Sequence, residues 1–181
     1  MARPSQVIVL AEDQRHQRFV RRYLNQLGYS QHDIRFEGLP AGRGSGEQWV
    51  RERYGNAVAA YRARSSRART ALVIAIDADV GDLDRRIRQL QETLEHAGLA
   101  ARTDDETIVH LIPKRSIETW ILCLVGIQVD EVTDYRQRAD VDNRIATSAQ
   151  TFFQWSRPNA APPAHCVPSL RAAIPEVRRL G

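Results

Sequence analysis

Two cysteines, one methionine and a single lysine among 181 residues set the first limits on this chain. Cys123 and Cys166 stand far apart and fit no paired zinc or redox spacing, so neither a disulfide scaffold nor a thiolate metal module accounts for the fold. No apolar run approaches the length of a membrane span, and Met1-Ala2-Arg3-Pro4 leads into a strand-like segment without a secretory apolar region. A reduced, cytoplasmic protein with no membrane partner is the expectation. Internal repeats and long low-complexity tracts are missing too. Neither serine nor cysteine sits in a nucleophile elbow, so covalent acyl chemistry has no support.

Lys114 is the only lysine, so 25 of the 26 basic residues are arginine, and the net charge is +4. A coding bias toward arginine explains much of this. Arginine is also the better fork for phosphate. The clusters Arg15/Arg18/Arg21/Arg22 and Arg62/Arg64/Arg67/Arg69 are compatible with a polyanion partner. No motif that reads RNA or DNA accompanies them.

What is present is a regular alternation of apolar strands and amphipathic helices. Gln6 to Ala11, Ile34 to Leu39, Ala71 to Ile76 and Thr107 to Ile112 read as strands, rich in β-branched residues and apolar on both sides. Helical spacing runs between them, over Gln14–Leu27, Glu47–Arg64 and Leu83–Ala97, and resumes after Ser116, a candidate N-cap. The order βαβαβαβα predicts an α/β fold, a Rossmann-like parallel sheet of about four strands flanked by helices. The length suits one such domain with its own core. We assign it to residues 1–128. Residues 129–181 read as a short, mainly helical extension packed on the same domain, with helices expected over Val141–Trp155 and Pro168–Leu180.

The chemistry gathers at strand ends. Glu12 follows the first strand, and Asp77-Ala78-Asp79 follows the third, with Asp82 close behind. In an open parallel sheet ligands bind beyond the C-terminal ends of the strands. Residues two apart in extended chain point the same way, so Asp77 and Asp79 are expected to converge. Clustered carboxylates repel unless a cation neutralises them, and hard oxygen ligands suit Mg²⁺ or Mn²⁺. The competing reading is local: Asp79 or Asp82 can form a turn or cap the helix beginning near Leu83. Arg43, Gly44, Ser45 and Gly46 belong to a glycine-rich loop that opens a helix and offers backbone N–H groups for phosphate, or is simply a mobile loop. It is neither a Walker A motif nor a dinucleotide fingerprint. Lys114, just past the fourth strand, is placed to meet a negative transition state or merely to face solvent. His110 alternates within the fourth strand and reads as structural, while the role of Glu118 stays open.

Glu at the end of strand one, a glycine-bearing turn after strand two and Asp-x-Asp after strand three resemble the Toprim domain of topoisomerases, primases and overcoming-lysogenization-defect (OLD) nucleases. Ile112-Pro113-Lys114-Arg115-Ser116-Ile117-Glu118-Thr119-Trp120 resembles a segment of small stand-alone Toprim-like bacterial proteins. The resemblance covers about residues 6 to 126. It implies a Toprim-like sheet with Glu12, Asp77 and Asp79 as catalytic and metal-binding residues and Asp82 as a further acidic ligand. Lys114 would then face the scissile phosphate, and the Arg43–Gly46 loop would hold the nucleic acid. With neither a strand-passage domain nor a zinc module, the chain is most similar to the OLD-like nucleases. That implies Mg²⁺-dependent hydrolysis of DNA phosphodiester bonds in phage or plasmid defence, with a separate ABC/AAA-type ATPase as partner and a homo-oligomer allowed. Two alternatives remain: a receiver-like phosphoacceptor domain with Asp77 as acceptor, and a non-catalytic Toprim-like subunit that binds a partner.

Overall fold

The structure, a computed structural model, describes residues 3–39, 45–65, 67–79 and 81–181. Four strands form one sheet: β1 (Gln6–Ala11), β2 (Ile34–Phe36), β3 (Thr70–Ala75) and β4 (Ile108–Leu111). All pairings are parallel, in the order β2-β1-β3-β4. Helices α1 (Gln14–Gln26), α2 (Gly46–Ser65), α3 (Leu83–His96) and α4 (Ile117–Leu124) follow the strands in turn. Two more, α5 (Ile145–Ser156) and α6 (Pro168–Val177), come after residue 140. The α/β architecture read from the sequence is the one found. Among the described residues no helix is long and apolar enough to cross a membrane.

Strand alternation divides the core in two. Val7, Val9, Ala11, Val73, Ala75 and Val109 face α1, α4, α5 and α6. Ile8, Leu10, Leu72, Ile74 and Ile108 face α2 and α3. With both faces covered, β3 is buried along its whole length, which is why its sequence shows an unbroken apolar run. Residues 129–181 supply Val141, Ile145, Phe152, Leu170 and Ile174 to the first of these clusters. They complete one side of the core, a closer involvement than the word extension conveys.

Several element boundaries differ from the expected ones. The expected second strand stops at Phe36; beyond it the Glu37 amide still bonds to the sheet, on Val9 O at 2.9 Å. The third strand lies one residue earlier than expected. The helix expected from Val141 begins at Ile145, behind a 3₁₀ turn over Asp142–Arg144.

His110 is buried in β4, with Nε2 3.0 Å from the Tyr54 hydroxyl. Burial, helped by the nearby Arg102, pushes its pKa down to about 3. The native state therefore keeps this ring neutral at pH values where the unfolded chain takes up a proton. Stability is fully present above the unfolded value near 6.5 and is lost as pH falls toward 3, by about 1.4 kcal/mol per pH unit. Urea unfolding at pH 7 and pH 5 should show a fall about 2 kcal/mol larger for the wild type than for His110→Gln. Equal falls would mean that His110 is not the group responsible.

Candidate metal centre

The strand order reverses between β1 and β3: the chain leaves β1 toward β2 on one side and β3 toward β4 on the other. Such a switch point opens a crevice at the carboxyl ends of the two central strands. Glu12 and Asp77 sit on its two sides. Ala11 pairs with Ala75, and the Glu12 amide continues the ladder onto Ala75 O at 2.9 Å. One step further, the Asp77 amide donates to Glu12 Oε2 at 2.8 Å. The first carboxylate is thus fixed by the backbone that carries the second.

His16 joins them from the first turn of α1. Its Nε2 is 3.0 Å from Asp77 Oδ1, and its Nδ1 is 3.0 Å from Asp13 Oδ1. The same Asp13 oxygen accepts from the His16 amide at 2.9 Å and caps the helix. Ligand atoms of Glu12, His16 and Asp77 all lie within 4.8 Å of one another. An ion with bonds of about 2.1 Å needs ligand atoms about 3 to 4.2 Å apart, so a small inward movement suffices. The donor set fits a divalent cation.

Electrostatics at this centre is strained in the direction a cation would relieve. Burial and the neighbouring Asp77 carboxylate push Glu12 up to about 7. Burial also holds Asp77 above the usual carboxylate range, against the pull of His16 and Arg136. For His16, burial opposes the imidazolium, but Asp77 and Asp13 outweigh it and hold the ring well above its ordinary value. The His16 ring and the Arg136 guanidinium face these carboxylates, while Arg15 pairs with the neighbouring Glu118.

Asp79 arrives by a route that strand alternation does not describe. The strand has already ended, and Asp79 adopts a left-handed backbone with φ +57°, a region that Asp tolerates better than most residues. It is tied to Asp77 through Arg136, whose Nη2 donates to Asp77 Oδ2 at 3.4 Å, to Asp79 Oδ1 and to the Arg115 carbonyl at 3.2 Å. The two aspartates do converge. Extended backbone is not the cause.

The remaining expected residues separate. Asp82 is the N-cap of α3, with Oδ1 accepting from the Arg85 amide at 2.6 Å; the local reading accounts for it. Ser45 does likewise for α2, its hydroxyl accepting from the Gln48 amide at 3.2 Å. Gly46 packs directly on Glu12: a Cβ there would lie 2.2 Å from the Glu12 carbonyl oxygen. Arg43 and Gly44 fall outside the described residues. Lys114 uses its backbone amide to bond Ser169 Oγ at 3.2 Å, and its ammonium forms no ion pair among the described residues. Glu118, left open by the sequence, is buried and ion-paired with Arg15.

A cleft of about 470 Å³ opens beside the centre, lined by Glu12, Arg15, Arg18, Gly46 and Asp142 among others. No family model matches this chain, and neither a curated protein nor a solved structure matches it. The site therefore has to be read from its own geometry. His16, Arg15 and Arg136 were not picked out as site residues from the sequence. His16 had a signal, four residues after Glu12 and one turn into the helix that the strand feeds. Arg136 had none, lying in an acidic segment without helical or strand period.

Proposed function

We propose that the chain is a divalent-metal-dependent phosphodiesterase acting on nucleic acid, of the Toprim nuclease type, with Glu12 and Asp77 as the principal acidic groups and Asp79 beside them. The observation that carries this reading is the meeting of two desolvated carboxylates at the switch point of the sheet, beside a cleft bordered by Arg15 and Arg18. Glu12 and Asp77 would hold Mg²⁺ or Mn²⁺, which would supply Lewis acidity toward a phosphodiester and its attacking water. Without a cation, burial and Asp77 push Glu12 up to about 7; a divalent ion beside it would favour the ionised carboxylate and so its role as a ligand. Glu12 Oε2 accepts from the Asp77 amide at 2.8 Å, which fixes the carboxylate against the strand end that carries Asp77. Arg18 is exposed and, among the described residues, pairs with Asp142 alone, which lines the same cleft, so a phosphate entering there can exchange one anionic partner for another. DNA as the polymer, a role in phage or plasmid defence and a separate ATPase partner belong to the same proposal and rest on resemblance.

A receiver-like role for Asp77 fits less well. A phosphoacceptor has to be open to its donor, whereas Asp77 is 3% exposed and both its oxygens are engaged. The deciding experiment incubates purified protein with supercoiled plasmid and Mg²⁺ or Mn²⁺. Metal-dependent nicking that chelation stops supports the reading; phosphate transfer from acetyl phosphate to Asp77 without nicking replaces it.

Arg136 lends itself to a separate measurement. Its guanidinium neutralises the same carboxylates that an ion would use. Arg136→Gln is expected to raise affinity for Mn²⁺ by about tenfold, the effect of removing roughly 1.4 kcal/mol of like-charge opposition. Titration calorimetry reads this directly. Unchanged or weaker binding would show that Arg136 organises the site instead of competing for it.

A further inference from the structure

His16 is buried completely, yet it is the best-oriented potential donor in the centre. Asp13 Oδ1 holds both its amide and its Nδ1, so backbone and ring are fixed by one oxygen. A carboxylate on one ring nitrogen is the usual companion of a histidine whose other nitrogen binds metal, because it sets the tautomer and raises the basicity of the donor. Here the other nitrogen, Nε2, points at Asp77 Oδ1 and lies in the cluster with Glu12. An all-carboxylate site suits hard Mg²⁺, which prefers oxygen ligands and keeps its water. An imidazole donor shifts preference toward borderline divalent ions of the first transition row.

We propose that His16 is itself a metal ligand through Nε2, oriented by Asp13, and that the centre therefore takes a transition-metal divalent ion of the Mn²⁺ class in preference to Mg²⁺. This rests on the reading above only in placing an ion between Glu12 and Asp77. On binding, Nε2 gives up its proton to solvent as its contact with Asp77 opens, so that its lone pair faces the ion and Asp77 Oδ1 becomes free to bind the same ion. Asp13 does not touch the ion and acts by positioning the imidazole.

The test uses the full chain loaded with Mn²⁺ alone. Pulsed electron paramagnetic resonance should show coupling of the Mn²⁺ electron spin to a nitrogen nucleus, and His16→Gln should remove it. Calorimetry should give at least tenfold tighter binding of Mn²⁺ than of Mg²⁺ in the wild type, a gap that closes in His16→Gln. Asp13→Asn, at a half-exposed position, should weaken Mn²⁺ binding by about 10- to 100-fold while keeping the nitrogen coupling. Mn²⁺ bound without nitrogen coupling in the wild type overturns the proposal and leaves phosphodiester hydrolysis standing. Nitrogen coupling without plasmid nicking does the reverse. Because the wild-type spectrum decides the ligand, a His16 variant that fails to fold does not blunt the test.

Discussion

Asp77→Asn is expected to reduce metal-dependent nicking by about a thousandfold, the loss that follows when some 4 kcal/mol of transition-state charge stabilisation disappears. The substitution is isosteric, and the amide oxygen can still accept from His16 while the amide nitrogen takes the place of the oxygen that meets Arg136 at 3.4 Å, the longer of the two contacts, so the fold should survive. The carboxylate removed is the largest charged influence on both Glu12 and His16. Asp82→Asn is the matched control. Asparagine caps a helix as well as aspartate does, so nicking should stay within about threefold of wild type. That contrast separates a ligand from a cap, two roles that look alike as acidic residues after a strand. Equal nicking by Asp77→Asn and wild type would remove Asp77 from the chemistry, and a thousandfold loss in Asp82→Asn would restore it as a ligand.

The second large effect is structural. Phe152→Ala should destabilise the protein by about 3–5 kcal/mol, out of a total that is typically about 5–15 kcal/mol for a domain. Phe152 comes from α5 yet is fully buried against residues of the α/β core. Its ring centroid lies 5.8 Å from that of Phe19, 4.9 Å from Tyr23 and 6.2 Å from Trp120. Removing the ring leaves a cavity where α1, α4 and α5 meet. Urea unfolding followed by tryptophan fluorescence gives the number. A change below about 1 kcal/mol would mean that the site collapses freely and that residues 129–181 are dispensable to the core.

The sheet was legible because burial on both faces writes itself into sequence as continuous apolar runs, in β1 and β3 above all. The two central acidic positions were legible for a related reason: each follows such a run. Asp79 and Asp82 were harder, since a capping carboxylate and a ligating one differ only in what they meet in space. The Phe152 contact and the role of Arg136 were not legible at all. Both depend on where α5 and the segment before it return in three dimensions, and nothing in local periodicity encodes that return. Glu118 belongs to the same group, because its partner Arg15 is 103 positions away.

One contact carries a consequence for tracing kin of this chain. Gly46 leaves no space between the start of α2 and the backbone of Glu12. A homologue that preserves this docking has to keep position 46 free of any side chain, whatever happens in the loop before it. Acid at the first strand end, histidine four places on, bare backbone where the second helix starts and aspartate after the third strand make a composite signature. Each element is common alone. Together they define a search pattern set by shape, usable where overall identity has faded.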